Sequence, residues 1–171
     1  MLKERYLQPR FDEVRVGDNS LQLYRDGYEL YAAMLAAIDE QTILLTNASF
    51  VPDHSVLEAL TAAVGRGVDV RILVPWQSRH NLANKVTYSS FTQCLQAGMR
   101  LYISRQSGLR SKTCTIDGQW STIGSAHLDL LSSVVNHELN IEMYDVAFAA
   151  QMQDLFASDI ADAHELTLQS G

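Results

Sequence analysis

The stretch "TILLTNASFVPDHSVLEALTAAVGRGVDVRILVP", residues 42–75, decides the fold. "TILLTNASF" is a short apolar run rich in branched residues, bounded by "VPD", and reads as a strand. Asp53 can cap the helix that follows, and Val56, Leu57, Leu60 and Val64 recur at helical spacing on one face. Gly65-Arg66-Gly67 ends that helix. "VDVRILV" is a second buried strand, stopped by Pro75. A strand, a helix and a strand in this order imply a crossover between parallel neighbours.

The same alternation continues outward. Ser20–Tyr24 reads as a strand, and Asp26 offers a cap for a helix whose face holds Tyr28, Tyr31, Met34, Leu35 and Ile38. After Pro75 the loop "PWQSRHN" leads into a helix near Leu82–Ala97 that Gly98 terminates, and "MRLYIS" is another strand. The order is β-α-β-α-β-α-β, so the fold class is α/β, a mixed and mostly parallel sheet with helices on its faces. A hairpin then spans roughly Arg110–Ile116 and Trp120–Gly124 around the turn Asp117-Gly118. "HELNIEMY" is a further strand, and a last helix starts near Asp145 with Phe148, Met152, Leu155, Phe156 and Ile160 on one face. Residues 1–13 read as a flexible polar arm and residues 14–171 as one domain without internal repeats.

Bulk composition narrows the function classes. With 20 acidic and 13 basic residues the net charge is −7, which disfavours a broad nucleic-acid surface. The lysines number three: Lys3, Lys85 and Lys112. Cys94 and Cys114 make neither a disulfide scaffold nor a CxxC metal pair, and no HExxH occurs, so no metal and no cofactor is expected. The amino terminus has no apolar core of a secretory signal, and no run reaches a membrane span. A cytoplasmic protein is expected, with any membrane contact peripheral, at the inner face.

The segment "LRSKTCTIDGQWSTIGSAHLD", residues 109–129, holds the candidate chemistry. Arg110 and Lys112 stand two apart, so a strand would turn them to the same side. Arg offers a planar fork and Lys a point charge for an anion, while Ser125 and the backbone at Gly124 add neutral donors. His127 follows closely. His80, with Arg79 and Trp76, lies in the loop leaving a strand, where ligand crevices often form, and is a candidate site rim.

These residues resemble the phospholipase D superfamily, whose signature is H-x-K-x4-D, then G-S-x-N, then N-x-E. Lys112 and Asp117 match its K and D at the right spacing, Gly124 and Ser125 match G-S, and Asn136 and Glu138 match N-x-E. "SFVPDHSVLEALTAAVGRGVDVRILVP", "LQAGMRLYIS" and "AFAAQMQDLFASDI" look like the carboxyl half of bacterial cardiolipin synthases. The resemblance implies an α/β/α sandwich that pairs with a second motif-bearing half, in one chain or as a homodimer. It implies a phosphodiester or phospholipid substrate, a histidine that attacks phosphorus, and a second histidine acting as acid and base. It places Lys112, Ser125 and the residue at 127 on the phosphate oxygens, has Glu138 orient polar partners, and has Asp117 mainly tie down the hairpin.

The departures fall on the chemistry. Arg110 stands where the family has its nucleophilic histidine, His127 where it has the G-S-x-N asparagine, and Leu131 where it commonly has arginine. The Arg110 guanidinium carries donors and no acceptor, so it offers no lone pair for attack. The expectation is a phosphatidyltransferase-type domain that binds phosphodiesters but is impaired in turnover. The alternatives are a non-catalytic phosphate-binding or regulatory module, and a single-motif nuclease-like homodimer.

Overall fold

A computed structural model describes residues 13–16, 19–26, 41–76, 82–105, 108–125, 128–129 and 137–168. Eleven strands and three helices are defined there: β1 (Glu13–Val16), β2 (Asn19–Asp26), β3 (Thr42–Asn47), β4 (Phe50–Val51), α1 (His54–Gly65), β5 (Asp69–Pro75), α2 (Leu82–Gln96), β6 (Arg100–Ser104), β7 (Lys112–Ile116), β8 (Trp120–Gly124), β9 (Leu128–Asp129), β10 (His137–Tyr144), α3 (Val146–Ala161) and β11 (His164–Glu165). The helix expected after Asp26 falls outside the described residues.

Nine strands form one sheet in the order β1-β2-β10-β8-β7-β3-β5-β6-β11, and β4 pairs with β9 in a small parallel sheet. The α/β reading holds, but the expected mostly parallel pairing does not. Only β3–β5 and β5–β6 are parallel in the large sheet. The other six neighbouring pairs are antiparallel. A parallel pair needs a long crossover, and within the described chain α1 and α2 supply the two that produce these pairs. The tight turn after Ile116 forces β8 back along β7. β10 and β2 then join that hairpin from distant parts of the chain, an arrangement that local periodicity does not reveal.

The two faces of the sheet carry separate cores. Ile43, Leu45, Ile72, Leu101, Cys114 and Ile116 pack with Val56, Leu60 and Ala63 of α1 and with Phe91 and Cys94 of α2. Leu44, Leu73 and Tyr102 point the other way and meet Phe156 of α3. Two-sided burial explains why "ILL" and "ILV" are continuous apolar runs rather than alternating ones. Asp53 caps α1, its Oδ1 accepting from the Val56 N–H at 2.9 Å, and Asp145 caps α3 through the Phe148 N–H at 2.7 Å. The buried face of α3 is Ala149, Met152 and Phe156, whereas Leu155, expected on it, is exposed.

"TILLTNASF" is two strands rather than one. The ladder of β3 stops at Asn47, whose side-chain Oδ1 accepts from the Ser49 N–H at 3.0 Å. That side-chain turn swings the chain out of the large sheet, so Phe50 pairs with Leu128 instead. At the opposite border, β11 covers part of the edge of β6, and Arg100 holds Glu165 through Nε and Nη2 at 2.8 and 3.1 Å.

Both cysteines are free thiols in the core. Burial pushes each up to about 12, and the negative charge of Glu142 adds to the effect at Cys114. At pH 8 the thiolate fraction is then on the order of one in ten thousand. Neither thiol is expected to react with Ellman's reagent in the native protein, and both should react in denaturant. Rapid native labelling of either would contradict this packing.

Candidate functional site

Strand ends assemble the site. β3, β5, β6 and β8 end, and β7 and β10 begin, at the same border of the sheet. Lys112, the first residue of β7, is the register partner of Asn47, the last of β3. Thr113 pairs with Ile123, which sets Lys112 beside Gly124, and Gly124 in turn pairs with Asn140 of β10. The strand alternation puts Asn47, Lys112 and Asn140 on one sheet face, the face covered elsewhere by α1 and α2. Ser125 follows β8 directly and is exposed, with Gly124 half-buried before it. The sequence segment that suggested a phosphate cradle thus converges with chain that is remote in sequence.

Lys112 is half-buried, and its Nζ donates to the carbonyl oxygen of Arg110 at 3.3 Å. Arg110 is exposed and precedes the strand. The expected strand start at Arg110 is therefore corrected to Lys112. The physical reason is that β3 runs out at Asn47, leaving no ladder partner for Ser111 or Arg110. The same-face spacing argument does not apply to Arg110, although its backbone carbonyl lies within reach of the lysine ammonium.

Asp117 sits at the far end of the hairpin. Its φ is 54° and that of Gly118 is 64°, the pair of left-handed conformations that an Asp-Gly turn supplies. The Asp117 Oδ1 accepts from the Gln41 and Thr42 N–H groups, each at 2.8 Å, and the Asp117 N–H donates to the Thr42 carbonyl at 3.1 Å. This carboxylate ties the turn to the start of β3. Asp117→Ala removes both contacts and puts a less tolerant residue at positive φ, at an expected cost of about 2 kcal/mol. Asp117→Asn retains one acceptor and should cost less. Urea unfolding checks the order, and equal stability of both variants with the parent would refute it.

Glu138 lies in β10, at a place where the pairing with β2 slips. His137 pairs with Asp26 but Asn140 pairs with Tyr24, so one extra residue is accommodated at Glu138-Leu139. Bulges of this kind gather next to active sites, where they bend a strand locally. Trp76 directly follows β5 at the same border and is 66% exposed. His80, Arg79, His127 and Asn136 lie outside the described residues. No group of three or more His, Cys, Asp or Glu that would hold a metal occurs among the described residues.

Several polar residues at this border were not singled out by the sequence. Asn47, Thr122, Asn140 and Glu142 are all at most 3% exposed. Asn140 Nδ2 donates to Thr122 Oγ1 at 3.2 Å, and Glu142 pairs in register with Thr122. The signal was a polar residue closing an apolar run, as in "TILLTN", and alternating polar residues in "HELNIEMY". Without the strand order nothing says which of them meet.

Residues 34–160 match the family described as cardiolipin synthase, PLD-like domain, and the chain belongs to that family. It is 30% identical over 150 residues to a cardiolipin synthase of Listeria welshimeri, a match covering 88% of this chain and 30% of that protein. A cardiolipin synthase of Clostridium perfringens is 31% identical over 153 residues, covering 90% of this chain and 31% of that one. The chain thus spans about a third of the length of these relatives. Among solved structures, the phospholipase D family member Nuc from Salmonella typhimurium superimposes with a TM-score of 0.77 at 19% identity. It covers 88% of this chain and all of that one, and so shares the fold. No helix among the described residues is long and apolar enough to cross a membrane.

Proposed function

We propose that this chain is a phosphodiester-binding unit of cardiolipin-synthase type that does not itself supply the nucleophile for phosphatidyl transfer. The observation that carries the reading is the meeting of Lys112 with Gly124 and Ser125 at one strand border, with Arg110 exposed just before the strand. A phosphate there gains a fixed cation and neutral donors in a partly desolvated place, where charge-assisted hydrogen bonds are strongest. Arg110 adds a second cation for binding. Nucleophilic attack on phosphorus needs a free lone pair, and a guanidinium, which carries donors and no acceptor, has none. Membership of the family supports a phospholipid-type diester as ligand.

A second motif-bearing half is the proposed partner, as another copy or a paired chain. In a homodimer both copies would present Arg110, so pairing alone does not restore the missing histidine. His127 would have to act from the position where the family signature holds a phosphate donor, and reaction geometry tolerates errors of only about an ångström.

The test compares the parent, Arg110→His, Arg110→His with His127→Asn, and His127→Ala. Each is assayed on bis(p-nitrophenyl) phosphate and on phosphatidylglycerol. The expected result is no turnover by the parent, with gain of turnover in the double variant, where each half again presents histidine and asparagine. Substantial parent turnover that disappears in His127→Ala would overturn the reading. Inactivity of every folded variant, with light scattering showing monomers, would assign the missing function to a second chain.

A further inference from the structure

We infer that the side-chain amide of Asn47 is a further donor to the bound phosphate, reaching it from β3 opposite Lys112. The inference rests on the phosphate-binding reading of Lys112. Asn47 closes an apolar strand yet is only 3% exposed, so its side chain is largely withdrawn from solvent. Its register partner across the antiparallel ladder is Lys112. Directly opposed residues in such a ladder share a face with Cβ atoms roughly 5 Å apart, a gap that one phosphoryl group can bridge.

The orientation of the amide follows from its one recorded contact. Oδ1 accepts from the Ser49 N–H at 3.0 Å, and this is the only side-chain hydrogen bond of Asn47 among the described residues. The acceptor end is thereby committed to the turn, and the Nδ2 hydrogens are the end left for a ligand. Among the described residues the buried polar side-chain atoms without a partner are Trp120 Nε1 and Glu142 Oε1, so the Nδ2 end of Asn47 keeps contact with solvent, the side from which a ligand on Lys112 would reach it. The arrangement suits a phosphate in particular. The ammonium supplies charge, while the amide supplies directional donors without adding a third cation beside Lys112 and Arg110.

The same amide has a structural task, because it turns the chain from β3 into β4. Asn47→Asp separates the two. A carboxylate keeps an oxygen for the Ser49 N–H but replaces the donor end by a second negative oxygen. The probe is dimethyl phosphate, a soluble diester, titrated into the full chain and followed by NMR. The expected result has two parts. The Asn47 Nδ2 proton resonances shift and saturate with the same Kd as the Lys112 signals, and Asn47→Asp weakens binding by at least about tenfold.

Failure of this inference is distinguishable from failure of the site. If the parent binds dimethyl phosphate and Lys112→Ala loses it, but the Asn47 amide does not shift and Asn47→Asp binds as the parent does, the Asn47 assignment falls and the Lys112 site stands. If the parent does not bind dimethyl phosphate at all, both fall. The resonance readout is made on the parent, so it decides the question even where Asn47→Asp fails to fold.

Discussion

Lys112→Ala is expected to weaken binding of dimethyl phosphate by about one hundredfold, with little change in stability. Lys112 is half-buried and stands at a strand end, so truncating it removes no core volume. Its recorded contact, to the Arg110 carbonyl, is long at 3.3 Å and lies on the exposed side. What the variant loses is the cation held by the ladder beside Gly124. A hydrogen bond between charged groups contributes about 1.5–3 kcal/mol, and the upper part of that range corresponds to about a hundredfold in affinity. Lys112→Arg should recover only part of the loss, because a longer planar fork does not occupy the place of a compact ammonium. Calorimetric titration in low salt measures the change. An unchanged Kd for Lys112→Ala would place the phosphate elsewhere and remove the basis of the proposed function.

Phe50→Ala is expected to cost about 3–5 kcal/mol of folding stability, the usual range for emptying the site of a buried aromatic ring. Phe50 is 1% exposed and belongs to the core between the sheet and helices α1 and α2. It also belongs to the small parallel sheet, where it pairs with Leu128. β9 begins three residues after Ser125, so loosening this pair should disturb the segment that follows the cradle as well as the core. A domain of this size commonly has only 5–15 kcal/mol in total, so the loss is a large fraction. Urea denaturation followed by circular dichroism reads it, and a change below about 1 kcal/mol would mean that the ring is not packed as described.

The legible and illegible parts of the molecule divide along sequence distance. α1, its cap at Asp53, β5, β6, the β7–β8 hairpin and the start of α3 are local features. Each is set by periodicity, a capping side chain or a turn dipeptide, and each was readable. Pairing between remote strands is not local. Nothing in "TILLTN" says that Asn47 will meet Lys112, and nothing in "HELNIEMY" says that the ladder slips at Glu138. The mistaken expectation of mostly parallel strands has the same origin, since β2 and β10 join the hairpin without any local signal. Leu155 shows a smaller error of the same kind. Helical spacing put it on the buried stripe of α3, but the surface it faces is solvent. Lys112, Gly124 and Ser125 of the candidate site were found from a linear motif, and Asp117, from the same motif, lies at the other end of the hairpin. Asn47, Thr122, Asn140 and Glu142 could be found only after the sheet order was known.

The turn at Asp117 has a consequence for the lysine at the other end of the same strand. Side chains on a strand alternate between layers, so a slip of one residue between β7 and β3 would carry Lys112 to the opposite layer and bring Thr113 to the border proposed for phosphate. Asp117 accepts from two successive amides of the neighbouring strand's start, Gln41 and Thr42, and a shifted strand could not satisfy both. The aspartate therefore works as an index mark. It fixes which residue of β7 is counted as the last before the border. In the run "KTCTID" the lysine is the residue proposed to meet the ligand, and the aspartate decides that it is the lysine that stands at the border.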